Sequence, residues 1–209
     1  MGTRDQQERE RVCGEIAKHS ANYHFILGAD EVGWGAYAGP IVVCAAIVPV
    51  NWVPPTGLND SKKLRKQEHK RIFYILKDTI PYKVEMAQSE EIDRDGPKLA
   101  LRRCYQAVVS ELQRSHPQAL VVIDGQNQML TSPHIALPKA DGLIHAVMAA
   151  SVIGKYLHDQ HMLELDTKYP GYGFATNVGY GTAKHEQAIR ELGISPAHRK
   201  SYIPKRLSS

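Results

Sequence analysis

Apolar residues recur along this chain in two rhythms, and their alternation predicts an α/β architecture. Phe25–Val32 and Ile41–Val48 are short runs rich in β-branched residues beside glycines, which predicts two strands joined by a turn at Gly33–Gly39. Tyr82–Ala87 reads as a third strand. Ala119-Leu-Val-Val-Ile123, between Pro117 and Gly125, is apolar throughout, the pattern of a strand covered on both faces. Helical spacing marks Arg4–His19 (Val12, Ile16, Ala17), Arg65–Asp78 (Ile72, Ile75, Leu76), Pro97–Arg114, the long stretch Leu143–Leu165 with Gly154 inside it, and Ala183–Leu192. Loops are expected at Val50–Asp60, with Pro54-Pro55 and Gly57, and at the Gly/Tyr-rich Tyr169–Gly181. No internal repeat or low-complexity segment breaks the series. One α/β body follows, its last third mostly helical.

Composition narrows the class only a little. The chain has 209 residues, 43% of them hydrophobic, enough for one large domain, and a net charge of +4 that hints weakly at a polyanionic partner. Distribution matters more. Basic residues gather at Lys62, Lys63, Arg65 and Lys66, at Arg102 and Arg103, and at Arg199, Lys200, Lys205 and Arg206. Cys13, Cys44 and Cys104 form no close pair, which suits a reducing compartment rather than a disulfide framework or a zinc site. The N-terminus lacks the apolar core of a signal peptide, and the longest apolar run, Ile41–Val50, is too short to span a bilayer. A cytoplasmic protein with no membrane partner is expected.

Four acids stand apart from the solvated charges. Asp30 and Glu31 end an apolar run, Asp124 ends another, and Asp141 precedes the long helix, so each falls at a strand end or helix start where an α/β sheet gathers its site. Singly, Asp124 could be a turn residue and Asp141 a helix cap. The adjacent pair is harder to dismiss, because side chains alternate across a strand and two ionised neighbours in an apolar setting cost several kcal/mol without a cation. Carboxylates alone favour magnesium or manganese over zinc, and two such ions suit phosphodiester cleavage beside basic loops. The segment Gly33-Trp-Gly-Ala-Tyr-Ala38 also matches a dinucleotide fingerprint. Its context fails: Pro40 and a strand follow where a helix should open, and no acid appears before Asp60.

Gly28-x-Asp-Glu-Val-Gly-x-Gly with Ala38-Gly-Pro40, Leu58-Asn-Asp-Ser-Lys-Lys-Leu64, Val122-Ile-Asp-Gly125, Lys139-Ala-Asp141 with Ala149-Ala-Ser151 and Lys155, Tyr169-Pro-Gly-Tyr-Gly-Phe174, Asn177-x-Gly-Tyr-Gly-Thr182 with His185, and His198-Arg199 occur in that order. This set resembles the type II ribonucleases H over roughly residues 28–202. The resemblance implies a ribonuclease H-like fold: a central mixed five-stranded sheet flanked by helices, with a C-terminal helical segment. It divides the chain into an N-terminal extension (1–27), a catalytic body (28–165) and a substrate-clasping loop, helix and basic tail (166–209).

What the resemblance implies for function is metal-dependent endonucleolytic cleavage of RNA in RNA/DNA hybrids, and incision at single ribonucleotides in duplex DNA, leaving 3′-hydroxyl and 5′-phosphate ends. Asp30, Glu31, Asp124 and Asp141 would be both the catalytic set and the ligands of Mn2+ or Mg2+. Gly33, Trp34 and Gly35 would approach the ribonucleotide, Tyr172 would pack on the sugar and bond its 2′-hydroxyl, and Ser61, Lys62 and Lys63 would contact phosphates. A monomer is expected; the tail from Tyr202 to Ser209 carries no clear motif for a recruiting clamp. Trp34 stands where the family usually carries arginine, Ala140 replaces a usual glycine, and Gly96 a usual asparagine. Two alternatives follow: a hybrid-binding protein whose turnover is impaired by Trp34, or a type III-like ribonuclease H. Only 27 residues precede Gly28, too few for the latter's extra N-terminal domain.

Overall fold

The computed structural model describes residues 22–125 and 130–207, with residues 14 and 18; the helix expected at Arg4–His19 otherwise lies outside the described residues. Five strands, β1 (Phe25–Val32), β2 (Ile41–Pro49), β3 (Tyr82–Ala87), β4 (Ala119–Asp124) and β5 (Ile135–Leu137), form one sheet in the order β3-β2-β1-β4-β5. β1 pairs antiparallel with β2, and β2 with β3, while β4 runs parallel to both β1 and β5. The sheet is mixed, as expected. The Gly33 turn leads into β2 rather than a helix, which disposes of the dinucleotide reading.

β2 shows why both faces are closed. Val43, Ala45 and Ile47 face one helical layer and Cys44, Ala46 and Val48 the other, so this central strand is apolar at every step rather than alternating. One face carries α3 (Pro97–Ser115), with Leu101, Tyr105, Val108 and Leu112 inward. The short helix α2 (Ser89–Asp95) precedes it. The other face carries α1 (Lys66–Thr79) and the 24-residue α4 (His145–Lys168). Residues 166–207 add α5 (Phe174–Asn177), α6 (Ala183–Leu192) and a third apolar cluster, in which Tyr172, Phe174, Ile189 and Ile203 pack against Ala38 and Met162.

Missing side chains let α4 lie directly along β1. A Cβ on Gly28 would stand 2.2 Å from the Val147 nitrogen, and one on Gly154 would stand 3.2 Å from the Cys44 Cβ. Further along, His158 lies beneath Gly33 and Met162 beneath Gly39, so the helix follows the strand and then underlies the turn. Among the described residues no helix is long and apolar enough to cross a membrane.

Candidate active site

The register of β1 on β4 brings the first two acids together. Gly28 pairs with Val122 and Ala29 with Ile123, so the next residues along the two parallel strands are Asp30 and Asp124. Because Ala29 and Ile123 face α3, Asp30 and Asp124 face α4, and Glu31 turns to the α3 side. Each acid then meets a partner from a different element. Ser151 on α4 hydrogen-bonds Asp30 and lies 2.9 Å, Oγ to Oγ, from Ser61. The Tyr105 hydroxyl on α3 donates to Oε2 of Glu31. Asp124 accepts the Ala140 N–H at 2.6 Å, and so secures the 3-10 turn Ala140–Gly142 that carries Asp141. That turn opens on Lys139 at φ 63°, a left-handed conformation unusual for lysine, so the acid's position is bought with local strain.

The acids are crowded and mostly dry. Burial first, then the charge of Glu31, push the Asp30 carboxyl well above its ordinary value, with Asp124 and Asp141 adding to the rise. Burial raises Glu31 against the pull of the Tyr105 hydroxyl, and raises Asp124 against that of the Ala140 N–H. Lys62 answers this negative field. Its Nζ lies 2.9 Å from Oδ2 of Asp141, is held charged mainly by that hydrogen bond, and its charge is felt at Glu31 and Asp124.

A cleft of about 260 Å³ opens beside Asp30 and Glu31, walled by Gly33, Trp34, Gly35, Ser61, Lys62, Lys155 and Tyr180. Trp34 is 37% and Tyr180 40% exposed, aromatic surface left facing solvent. The structure therefore collects Asp30, Glu31, Asp124, Asp141, Gly33, Trp34, Gly35, Ser61 and Lys62 around one place. Lys63 shares the turn of Ser61 and Lys62, and its side chain lies outside the described residues. Tyr172 is not brought to the cleft. Its ring stacks on Phe174 in the third apolar cluster, 8% exposed, and its hydroxyl donates to the Gly193 carbonyl at 3.0 Å.

Sequence reasoning passed over several groups that build this site. Tyr105 reads as one more inward residue of a helix, and its hydroxyl among aliphatic neighbours was the available signal. Arg199, read as part of a basic tail, is fully buried: Nε donates to the Gly39 carbonyl and Nη1 to that of Trp34. Tyr180 sits in the same Gly/Tyr loop as Tyr172, and spacing alone does not separate them.

Among the described residues, no three Asp, Glu, His or Cys side chains are drawn closely enough around one point to hold an ion by themselves. The donor set still fits a hard divalent cation, which keeps several waters and takes its remaining oxygens from a few carboxylates and a substrate phosphate. Mutually raised carboxyls are the sign that such a charge is wanted.

A family model described as Ribonuclease HII matches residues 27–205. A Ribonuclease HII from Staphylococcus saprophyticus is 42% identical over 184 residues, 86% of this chain and 69% of the relative. Among solved structures, the PCNA:RNase HII complex from Archaeoglobus fulgidus superposes with a TM-score of 0.73 at 20% identity, covering 87% of this chain and 96% of the other. Bst-RNase HIII in complex with Mn2+ gives 0.72 at 23%, covering 92% and 71%. These two likenesses speak for the ribonuclease H-like fold alone.

Proposed function

The chain belongs to the ribonuclease HII family and is a ribonuclease H endonuclease, and on that premise we propose that it hydrolyses RNA in RNA/DNA hybrids and incises at single ribonucleotides in duplex DNA, with Mg2+ or Mn2+, leaving 3′-hydroxyl and 5′-phosphate ends. The observation that carries this is the gathering of Asp30, Glu31 and Asp124 at two strand ends, all three raised by burial and by neighbouring carboxylates, with Asp141 on the adjoining turn, beside a cleft lined with two lysines and exposed aromatics. Asp30, Glu31, Asp124 and Asp141 would hold the ions. When bound, these supply an activated water and neutralise charge on the leaving oxygen.

The chain's own residues do the rest. Ser151 and Tyr105 fix the rotamers of Asp30 and Glu31. Lys62 is mostly exposed while the Asp141 carboxylate is buried, so the lysine ammonium would turn to a phosphate oxygen once a bound ion takes over the charge of Asp141. Gly35 leaves open space toward Tyr180, whose ring at a would-be Cβ's 4.0 Å defines the gap a sugar could enter. Tyr180, rather than Tyr172, lines the cleft and would meet a ribose and its 2′-hydroxyl, the segment after residue 165 serving as the clasp. The free, buried Cys44 and Cys104 support a reducing, cytoplasmic setting, and we read the working unit as a monomer.

Matched duplexes bearing one, four or many ribonucleotides, assayed with magnesium and with manganese, test the proposal. Incision of all three is expected, and Asp30→Asn or Asp124→Asn should abolish it while hybrid binding persists, since phosphate contacts dominate affinity. Failure to cut any of the three with either metal would sink the assignment.

A further inference from the structure

A second groove, of about 550 Å³, runs between α1 and α4 and shares Ser61 and Lys155 with the acid cleft. Nothing in the chemistry above uses it. Lys66 and Lys70 line it from the first turns of α1, Lys155 lines it from α4, and Asp159, its one carboxylate, is already paired with Lys155 at 2.7 Å. Lys66 and Lys70 are exposed, and among the described residues neither has an ion-pair partner. Their net field is therefore turned outward, into the groove.

The placement works against the fold. α1 begins at Lys66 with no side-chain cap, and Glu68 is the one acid of its first turn, although a helix N-terminus favours anions and disfavours cations. Two unpaired ammonium groups at that end are unfavourable until an anion sits beside them. Lys66 and Lys70 are four residues apart on a helix, so they are neighbours on one face and can meet adjacent charges of one polymer. The buried His69, between them in the groove wall, has a ring nitrogen, Nε2, with no hydrogen-bond partner.

We propose that this groove is a second phosphate subsite, in which Lys66 and Lys70 grip backbone phosphodiesters of the nucleic acid whose scissile bond lies at the acid cleft. It rests on the function proposed above and adds a subsite outside the catalytic cluster.

The test is the double variant Lys66→Glu/Lys70→Glu. KM for a short hybrid should rise at least tenfold while kcat stays within twofold. Because two phosphates are no longer neutralised, the slope of log binding constant against log salt should fall by about 1.8, at about 0.9 per phosphate. Melting temperature should hold or rise, because the variant relieves the helix end; a merely structural role for the lysines would lower it. Lys66→Arg/Lys70→Arg should keep wild-type KM and slope. Neutral methylphosphonates placed in either the RNA or the DNA strand show which strand lies in the groove, by which one abolishes the difference between variant and wild type. Unchanged KM and slope in the glutamate variant would overturn the subsite. Should the wild type fail to cut any hybrid, the proposed function fails instead, and anisotropy of the labelled hybrid without metal still decides the groove: equal affinities for wild type and variant reject it.

Discussion

Nη1 of the buried Arg199 donates to the main-chain oxygen of Trp34 at 3.0 Å, and Nε donates to that of Gly39 at 2.8 Å. One side chain from the C-terminal segment thus holds both ends of the turn that walls the cleft. Arg199→Met would remove a donor from each carbonyl, that of Gly39 keeping the Ser89 hydroxyl at 3.2 Å, and should destabilise the protein by about 1–3 kcal/mol, the cost of one unsatisfied group. Arg199→Lys should recover part of that stability yet leave kcat/KM below wild type, since an ammonium lacks the planar fork that reaches both oxygens. Thermal melts that coincide for Arg199→Met and wild type would show that the brace contributes nothing.

Tyr172 and Tyr180 should separate cleanly. Tyr172→Phe removes a hydroxyl bonded to the Gly193 carbonyl and should cost about 1 kcal/mol of stability with unchanged preference between substrates. Tyr180→Phe should leave stability alone and weaken incision at a single ribonucleotide more than cleavage of a long hybrid. The ratio of the two rates, measured for each variant, decides which tyrosine reads the ribose.

Most of the sheet was legible because β2 and β4 are near-continuous apolar runs, β1 opens on Phe-Ile-Leu, and β3 alternates polar and apolar residues after Pro81. β5 was not: Ile135–Leu137 is three residues between Pro133 and Pro138, and exists because β4 offers it an edge. Nor was α2, where Ile92 is the one buried apolar residue and a Gln88–Glu91 capping box starts the helix. In the site, chemistry was readable by residue type, so the four acids stood out. Their supports did not, because Tyr105 and Arg199 act through folded neighbours that local spacing does not reveal.

Gly33 and Gly35 flank Trp34 and should respond differently to alanine. Gly33 has φ +85°, and a Cβ there would stand 2.7 Å from Nε2 of His158 and 2.8 Å from the Pro40 oxygen, so Gly33→Ala should destabilise by more than about 1 kcal/mol. Gly35→Ala meets only the Tyr180 ring, at an ordinary contact of 4.0 Å, and should fold normally while raising KM, since the added methyl narrows the approach to the cleft. Normal stability in both variants would mean that the turn is softer than its contacts indicate.

A histidine pair holds the other wall. The Ser195 N–H donates to Nδ1 of His198 at 2.9 Å, which puts the proton of His198 on Nε2, 3.1 Å from Nε2 of His185; the latter's Nδ1–H then donates to the Tyr180 carbonyl at 2.9 Å. Both rings are neutral in that chain. Burial pushes His198 down to about 4 from 6.5 and lowers His185 as well. Folded values below unfolded ones mean stability that is whole above pH 6.5 and is lost as pH falls toward 4, up to about 3 kcal/mol from His198. His198→Asn should flatten this acid limb in denaturation experiments; an unaltered limb would place the titration elsewhere.

The acid cluster imposes the opposite slope. Asp30, Glu31 and Asp124 have folded values raised above the ordinary 3.8 and 4.5, so the protein binds their protons more tightly than the unfolded chain does. Without metal, stability is greatest below those ordinary values and falls as pH rises through the raised ones, the cost being fully present once all three are ionised. Asp124→Asn keeps an oxygen for the Ala140 N–H and removes one charge from the cluster, so it should raise the melting temperature of metal-free protein at pH 7 by a few degrees while abolishing turnover. Magnesium bound at the proposed site should stabilise the wild type more than this variant. A melting temperature for Asp124→Asn equal to or below wild type, with no difference in the response to magnesium, would show that the four carboxylates do not repel one another enough to require an ion.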